Sequence, residues 1–178
     1  PESHREHVVS KADKFVVVTM NFPLLKTFVP NEFVAEYVKQ FPGRAKAFAC
    51  VDPIAPDASK QLEFAIKDLD MHGLKISPVY GGFDPNCREA GEIYKTCDRL
   101  GIPLLWHQSA GYAPDCTLEY GNPIFLDRIG REFPKLRMIV AHFGQPWIGE
   151  TAVLLRKHPQ IFTDLSARYH RRWQLYHA

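Results

Sequence analysis

No apolar run in these 178 residues approaches the roughly 18–20 needed to cross a bilayer, so no membrane span is expected. The opening stretch PESHREHVVSKADK has no apolar signal core, and nothing in it argues for secretion. Blocks of basic charge are missing as well. The formal net charge is +2, with acids and bases interspersed, which argues against nucleic acid as a partner. The four cysteines (Cys50, Cys87, Cys97, Cys116) form no C-x-x-C pair, so reduced thiols in a cytoplasmic protein are the expectation. Neither G-x-G-x-x-G nor G-x-x-x-x-G-K-[ST] follows the first apolar run, which weakens a nucleotide-binding reading. Linkers, composition shifts and low-complexity tracts are also lacking, so residues 1–178 read as one domain.

What the chain does have is a repeat of short apolar runs and amphipathic stretches. With 46% hydrophobic and 24% charged residues, it is ordinary for a globular protein with a real core. Strand-like runs rich in Val, Ile, Phe and Leu occur at 14–20, 44–53, 73–79, 102–108, 136–143 and 161–167. Helical patterns lie between them at 31–41, 57–73, 86–101, 122–134 and 149–159. Asp57 is placed to cap the second helix, Gly73 to close it, and Gly101 to close the third. Units starting about 30 residues apart give the βα period of a parallel sheet, either an open doubly wound sheet or a closed eight-fold barrel. A barrel of about 250 residues allots roughly 31 to each unit, so this length holds about six. As a TIM barrel, the chain would be a partial one.

Two of these runs share a design. IPLLWHQSAGY (102–112) and RMIVAHFGQPW (137–147) each carry an apolar strand to a single histidine that opens a polar, glycine-containing loop. In parallel α/β folds functional groups gather at the C-terminal ends of strands, where His107 and His142 fall. Neighbouring strands are about 4.8 Å apart, so both imidazoles can serve one small site. Imidazole is a metal ligand in its neutral form and an acid or base near neutral pH. Two histidines alone leave a metal site incomplete, because catalytic zinc usually has about three protein ligands plus water.

GLKISPVYGGFDPN, GIPLLWHQSAG, LRMIVAHFGQPW and LLRKHPQIFTDLSA together resemble the amidohydrolase-related metal-dependent hydrolases. That TIM-barrel group also contains aminocarboxymuconate semialdehyde decarboxylase and the resorcylate decarboxylases. The resemblance covers residues 14 to 170 and places this chain on strands two to seven of the barrel. It implies a divalent metal ion, zinc first, with His107 as a ligand. It makes His142 a catalytic group beside the metal or, in two-metal relatives, a ligand. The family's H-x-H or E-x-H pair on the first strand has no counterpart here. The HREH of His4–His7 lies in a polar stretch, not at a strand end. The strand-eight aspartate also has no counterpart, so three of the expected ligating side chains are absent.

Other residues carry weaker signals. Lys75, inside the apolar run GLKISP, would bind substrate if it points inward, or ligate as a carbamate in some relatives; the alternative is a lysine snorkelling to solvent. Tyr80, on the loop after that run, either lines the pocket or packs. Asp164 either orients a site histidine or caps its own loop. By two-residue alternation an inward His107 sends Trp106 outward into the core, whereas Trp147, on a loop, is free to reach substrate. Gln108, Ser109 and Arg168 are rim candidates. His72, His158, His170 and His177 read as solvated, and Cys50 as a small packed hydrophobe. These features favour a hydrolase that acts through a metal-activated water on a small carbonyl-containing substrate. The alternatives are a metal-dependent decarboxylase of an aromatic or muconate-like acid, and a catalytically silent fragment. Open edges on the first and last strands would make the chain a homo-oligomer.

Overall fold

In the computed structural model, which describes residues 2–167, six parallel strands run side by side in chain order. They are β1 (Phe15–Val18), β4 (Ala45–Phe48), β5 (Leu74–Ile76), β6 (Leu104–Trp106), β7 (Met138–Val140) and β8 (Ile161–Thr163). Each of the six predicted strand runs supplies one member. The seam between β4 and β5 is a single bridge, Ala49 to Leu74, reinforced by the Lys75 N–H donating to the Ala49 carbonyl at 2.7 Å. Between the strands lie α2 (Asn31–Val38), α3 (Ala58–Lys67), α5 (Arg88–Leu100), α6 (Phe125–Glu132) and α7 (Ile148–Lys157). The expected βα order is therefore present throughout.

Alternation of side chains builds the two faces. The register aligns Ala49, Leu74, Leu104, Met138 and Ile161 in one row, all 3% exposed or less, against the helices. Trp106, two residues further up β6, is fully buried there beside Tyr94 of α5, with ring centroids 5.3 Å apart. The opposite row is Lys75, Leu105, Ile139 and Phe162. Phe162 and Val16, on the outermost strands, are 51% and 50% exposed. The inner face is thus open at its ends, and β1 and β8 each have one strand neighbour among the described residues.

Four local expectations need correction. The run 14–20 is not one strand: the chain leaves the sheet at Thr19, and β2 (Met20–Phe22) pairs antiparallel with β3 (Thr27–Val29). Thr19 is fully buried and donates its hydroxyl to Asn31 Oδ1 at 2.8 Å, which pins the departure point. The helix expected to close on Gly73 stops at Lys67, and Asp70 takes a left-handed conformation (φ 55°) in the link to β5. Asp57 makes no capping bond to the backbone and instead accepts from Gln61 Nε2. His158 is not solvated: at the end of α7 it is 5% exposed, with Nε2 2.8 Å from Asp127 Oδ1 on α6. A packed helix end turned that ring inward, which no local pattern encodes. Residues 2–9 form α1 (Glu2–His4) and a π turn, and His4 Nδ1 lies 2.7 Å from the Tyr37 hydroxyl of α2. Arg168, His170 and His177 lie outside the described residues.

Gln108 clamps the loop that follows His107. Its Nε2 donates to the carbonyls of Tyr120 and Asn122 at 2.7 and 2.8 Å, holding the turn Leu118–Gly121 against the strand end. It is fully buried and has no place on a rim. A Cβ at Gly121 would stand 2.2 Å from the Ser109 carbonyl oxygen, closer than any side chain tolerates. Gly121→Ala is expected to cost about 1–3 kcal/mol, the usual range for overpacking. A lowered urea midpoint checks this; a wild-type midpoint would show that the two loops do not approach as described.

Candidate active site

The C-terminal ends of β5, β6, β7 and β8 bring five of the six expected site residues together. Lys75, Tyr80, His107, His142 and Asp164, joined by Ser166, line one cavity of about 350 Å³. That volume is in the range of small-ligand sites. Apolar atoms of Val18, Phe22, Leu105 and Ala141 form the remaining wall. Trp147 is not among the lining side chains; it starts α7 and packs toward Gly121.

Each polar group has a structural reason for its place. Lys75 belongs to the inner row, so its four-carbon stem rises along the barrel interior, and only 9% of the residue is exposed. Among the described residues its ammonium finds only its neighbour Ile76's carbonyl, at 3.4 Å. Burial pushes its pKa down from 10.5 to about 7, against the opposing pull of Cys50 and Asp164. The Cys50 thiol, buried nearby, is itself pushed up to about 11. His107 continues the inner face two residues after Leu105, its N–H donating to the Ile76 carbonyl at 2.9 Å. Burial, then the charge of Lys75 and the neighbouring His142, push His107 down to about 3, so its ring is uncharged near neutral pH. The Tyr80 ring stacks on His107 with centroids 4.7 Å apart, and Ser109 Oγ lies 3.2 Å from His107 Nε2. The His107 and His142 rings meet edge to face at 5.1 Å.

His142 is held in an unusual way. It and Phe143 both take left-handed backbone conformations, φ 60° and 53°, which residues with a Cβ rarely adopt. Two bonds from one residue pin the pair: the His142 N–H donates to Asp164 Oδ1 and the Phe143 N–H to the Asp164 carbonyl, both at 3.0 Å. Strain of this kind persists where surrounding bonds over-determine it, and it concentrates at functional sites. Asp164 also accepts from the Ser166 N–H at 2.9 Å and from the Ser166 hydroxyl. Burial raises the Asp164 pKa, but these donors outweigh it and hold the carboxyl below the usual carboxylate range. Asp164 thus bonds the backbone of its own loop at Ser166 and, across the site, the backbone N–H of His142 rather than its ring. Ser166 escaped the sequence reading. Its only signal was its spacing two residues after Asp164, the pattern of a hydroxyl returning to a loop carboxylate.

Among the described residues no group of three or more His, Cys, Asp or Glu side chains is placed to hold a metal ion. His107 suits a ligand, being buried and uncharged, but one imidazole with a second beside it falls short of the usual three. The described donor set does not by itself fit a resident metal.

The burial of Lys75 has a measurable cost. Between about pH 7 and 10.5 the unfolded chain holds a proton on this lysine that the folded chain has lost, so stability rises with pH across that window. Each pKa unit is worth about 1.36 kcal/mol, which makes the effect a few kcal/mol. Lys75→Met is expected to raise stability at pH 7 by that order and to flatten the slope. Urea midpoints at about pH 7 and pH 9.5 measure both quantities; a variant that keeps the wild-type slope would contradict the assignment.

The amidohydrolase family (Amidohydro_2) matches residues 8–178. None of the curated proteins matches the chain. Among solved structures, an uncharacterised TIM-barrel protein from Bordetella bronchiseptica is 22% identical, with a TM-score of 0.76 over 92% of this chain and 58% of its own length. A probable 2-pyrone-4,6-dicarboxylic acid hydrolase from Acinetobacter baumannii, with citric acid bound, is 18% identical, TM-score 0.63, over 94% and 59%. A dihydroxybenzoic acid decarboxylase from Polaromonas, with bound manganese and the inhibitor 2-nitroresorcinol, is 20% identical, TM-score 0.51, over 64% and 42%. These likenesses show the barrel fold, of which this chain spans less than two thirds of each relative's length. The solved structures that the chain resembles include decarboxylases, one of them with bound manganese, and a probable hydrolase. With matched positions running from residue 8 to residue 178, and six consecutive parallel strands carrying the two strand-end histidines, the chain belongs to the amidohydrolase family.

Proposed function

We propose that this chain carries the substrate-anchoring and proton-handling part of a metal-dependent hydrolase site for a small carbonyl-containing molecule. One observation carries the reading: two imidazoles in different circumstances share one cavity whose floor holds a buried lysine. His107 is buried and uncharged, whereas His142 is half-buried on a strained loop and held by Asp164 and Ser166. Lys75, whose ammonium has no carboxylate partner within the salt-bridge range among the described residues, suits an anionic oxygen of the substrate; docking it there would restore the charged form that burial disfavours. Tyr80 and the apolar wall exclude water from the bound molecule. His142 takes the proton lost by the attacking water and returns it to the leaving group.

In this reading His107 is one ligand of a divalent cation whose other ligands come from outside residues 2–167. Zinc is the cation proposed, because imidazole suits it. The same cavity supports a second reading, non-oxidative decarboxylation, because a cation at the floor of an apolar wall also fits an aromatic carboxylate. Release of carbon dioxide from a carboxyl-labelled acid, against net uptake of water into the product, separates the two.

In the whole enzyme, His142→Ala is expected to lower kcat by about 10²–10⁴, the usual worth of an acid–base group, while metal content stays unchanged. His107→Ala is expected to lose metal. Metal analysis alongside kinetics checks both. If His142→Ala loses metal as readily as His107→Ala, or if its rate barely moves, the division of roles is wrong.

A further inference from the structure

We infer that the Ser166 hydroxyl fixes the tautomer of His142, donating its own proton to Asp164 and accepting the imidazole Nδ1–H, so that Nε2 is left bare as a proton acceptor. Ser166 is a positioning residue in this scheme. The inference rests on the proposed role of His142 for its catalytic consequence, but not for the tautomer itself.

The argument is a count of protons. Asp164 Oδ1 receives the backbone N–H groups of His142 and Ser166 at 3.0 and 2.9 Å, which can only donate. An ionised carboxylate only accepts. The Ser166 hydroxyl, also bonded to that oxygen, must therefore spend its single proton on it. What remains at Ser166 Oγ is lone-pair capacity, and His142 Nδ1 lies 2.7 Å away. A bond there requires Nδ1 to carry the hydrogen. A second contact demands the same: the Ser166 backbone carbonyl, an acceptor under all conditions, lies 3.3 Å from the same nitrogen. Nε2 has no hydrogen-bond partner among the described residues, and the ring that bears it lines the cavity with Lys75 and Tyr80.

The consequence is a direction for chemistry. A neutral His142 held in the Nδ1–H form starts a turnover by accepting a proton at Nε2 from water or from a substrate group. Nδ1 keeps its hydrogen, and the Ser166 hydroxyl neither gains nor loses a proton. The positive charge that appears on the ring faces the Asp164 carboxylate across one hydroxyl, in an environment where such charge is poorly screened. With the hydroxyl gone, only the longer 3.3 Å contact to the backbone carbonyl of residue 166 still favours Nδ1–H, so the Nε2–H form, which cannot accept at the cavity side, gains population.

Nitrogen-15 correlation spectra of the histidine rings read the tautomer directly, with His142→Gln identifying the His142 signals. The spectra are taken at about pH 9, where free imidazole is neutral. The wild-type ring is expected to show a protonated Nδ1 and a bare Nε2. Ser166→Ala is expected to shift the population toward Nε2–H, and Ser166→Thr, which keeps the hydroxyl, to restore the wild-type pattern. In the whole enzyme kcat is expected to fall by about 10–100-fold in Ser166→Ala, as for other groups that orient a site histidine, and to recover in Ser166→Thr. A wild-type ring in the Nε2–H form, or a Ser166→Ala ring that stays Nδ1–H, overturns the inference. A tautomer shift with unchanged kcat upholds it and overturns instead the role given to His142.

Discussion

Everything in this structure depends on the alternation of side chains along short parallel strands held in one register. Rows of paired residues send Ala49, Leu74, Leu104, Met138 and Ile161 toward the helices, where burial of apolar area stabilises the fold. The same pairing sends Lys75, Leu105, Ile139 and Phe162 inward. The outer rows are hydrophobic apart from Thr163 on the edge strand β8, so a slip of one residue would bury Lys75 among the helices and expose Trp106. Register is thus fixed by the core, and the site inherits its geometry from that.

The inner face has another economy. It holds a lysine that burial discharges toward neutrality, an imidazole pushed firmly to its uncharged form, and one carboxylate that keeps its charge. Asp164 stays ionised because donors converge on one of its oxygens, and those donors come from the residues it must hold. A single side chain thereby closes its own loop, offsets the strain of two left-handed residues and positions His142. Lys75 has no comparable network among the described residues, and a buried lysine without one gains its charge most readily beside an anion.

Much of this was legible in the sequence because it is local and periodic. The order of strands and helices, the outward turn of Trp106 and the placing of both histidines at strand ends follow from apolar runs and two-residue alternation. The resemblance to the amidohydrolase group was carried by four segments and agrees with the family match. Non-local choices escaped. The hairpin of β2 and β3 depends on Thr19 finding Asn31, twelve residues away, and the burial of His158 depends on Asp127, thirty-one residues away. Gln108 looked like a rim residue because its loop is polar, yet it satisfies the carbonyls of a turn folded over it.

The sequence by itself determined the βα period and the two strand ends at which imidazoles stand. Those are properties of residue spacing, and spacing survives any tertiary arrangement that keeps the strands parallel. Only the tertiary structure decided that Lys75 is inward and nearly dry, that Trp147 lies off the cavity, and that Ser166 links Asp164 to His142. Each of these requires knowing which strand is neighbour to which and how far a loop folds back. Hydrogen bonds between residues twenty or more positions apart leave no periodic trace in the chain, because loop closure brings their ends together without constraining the residues between.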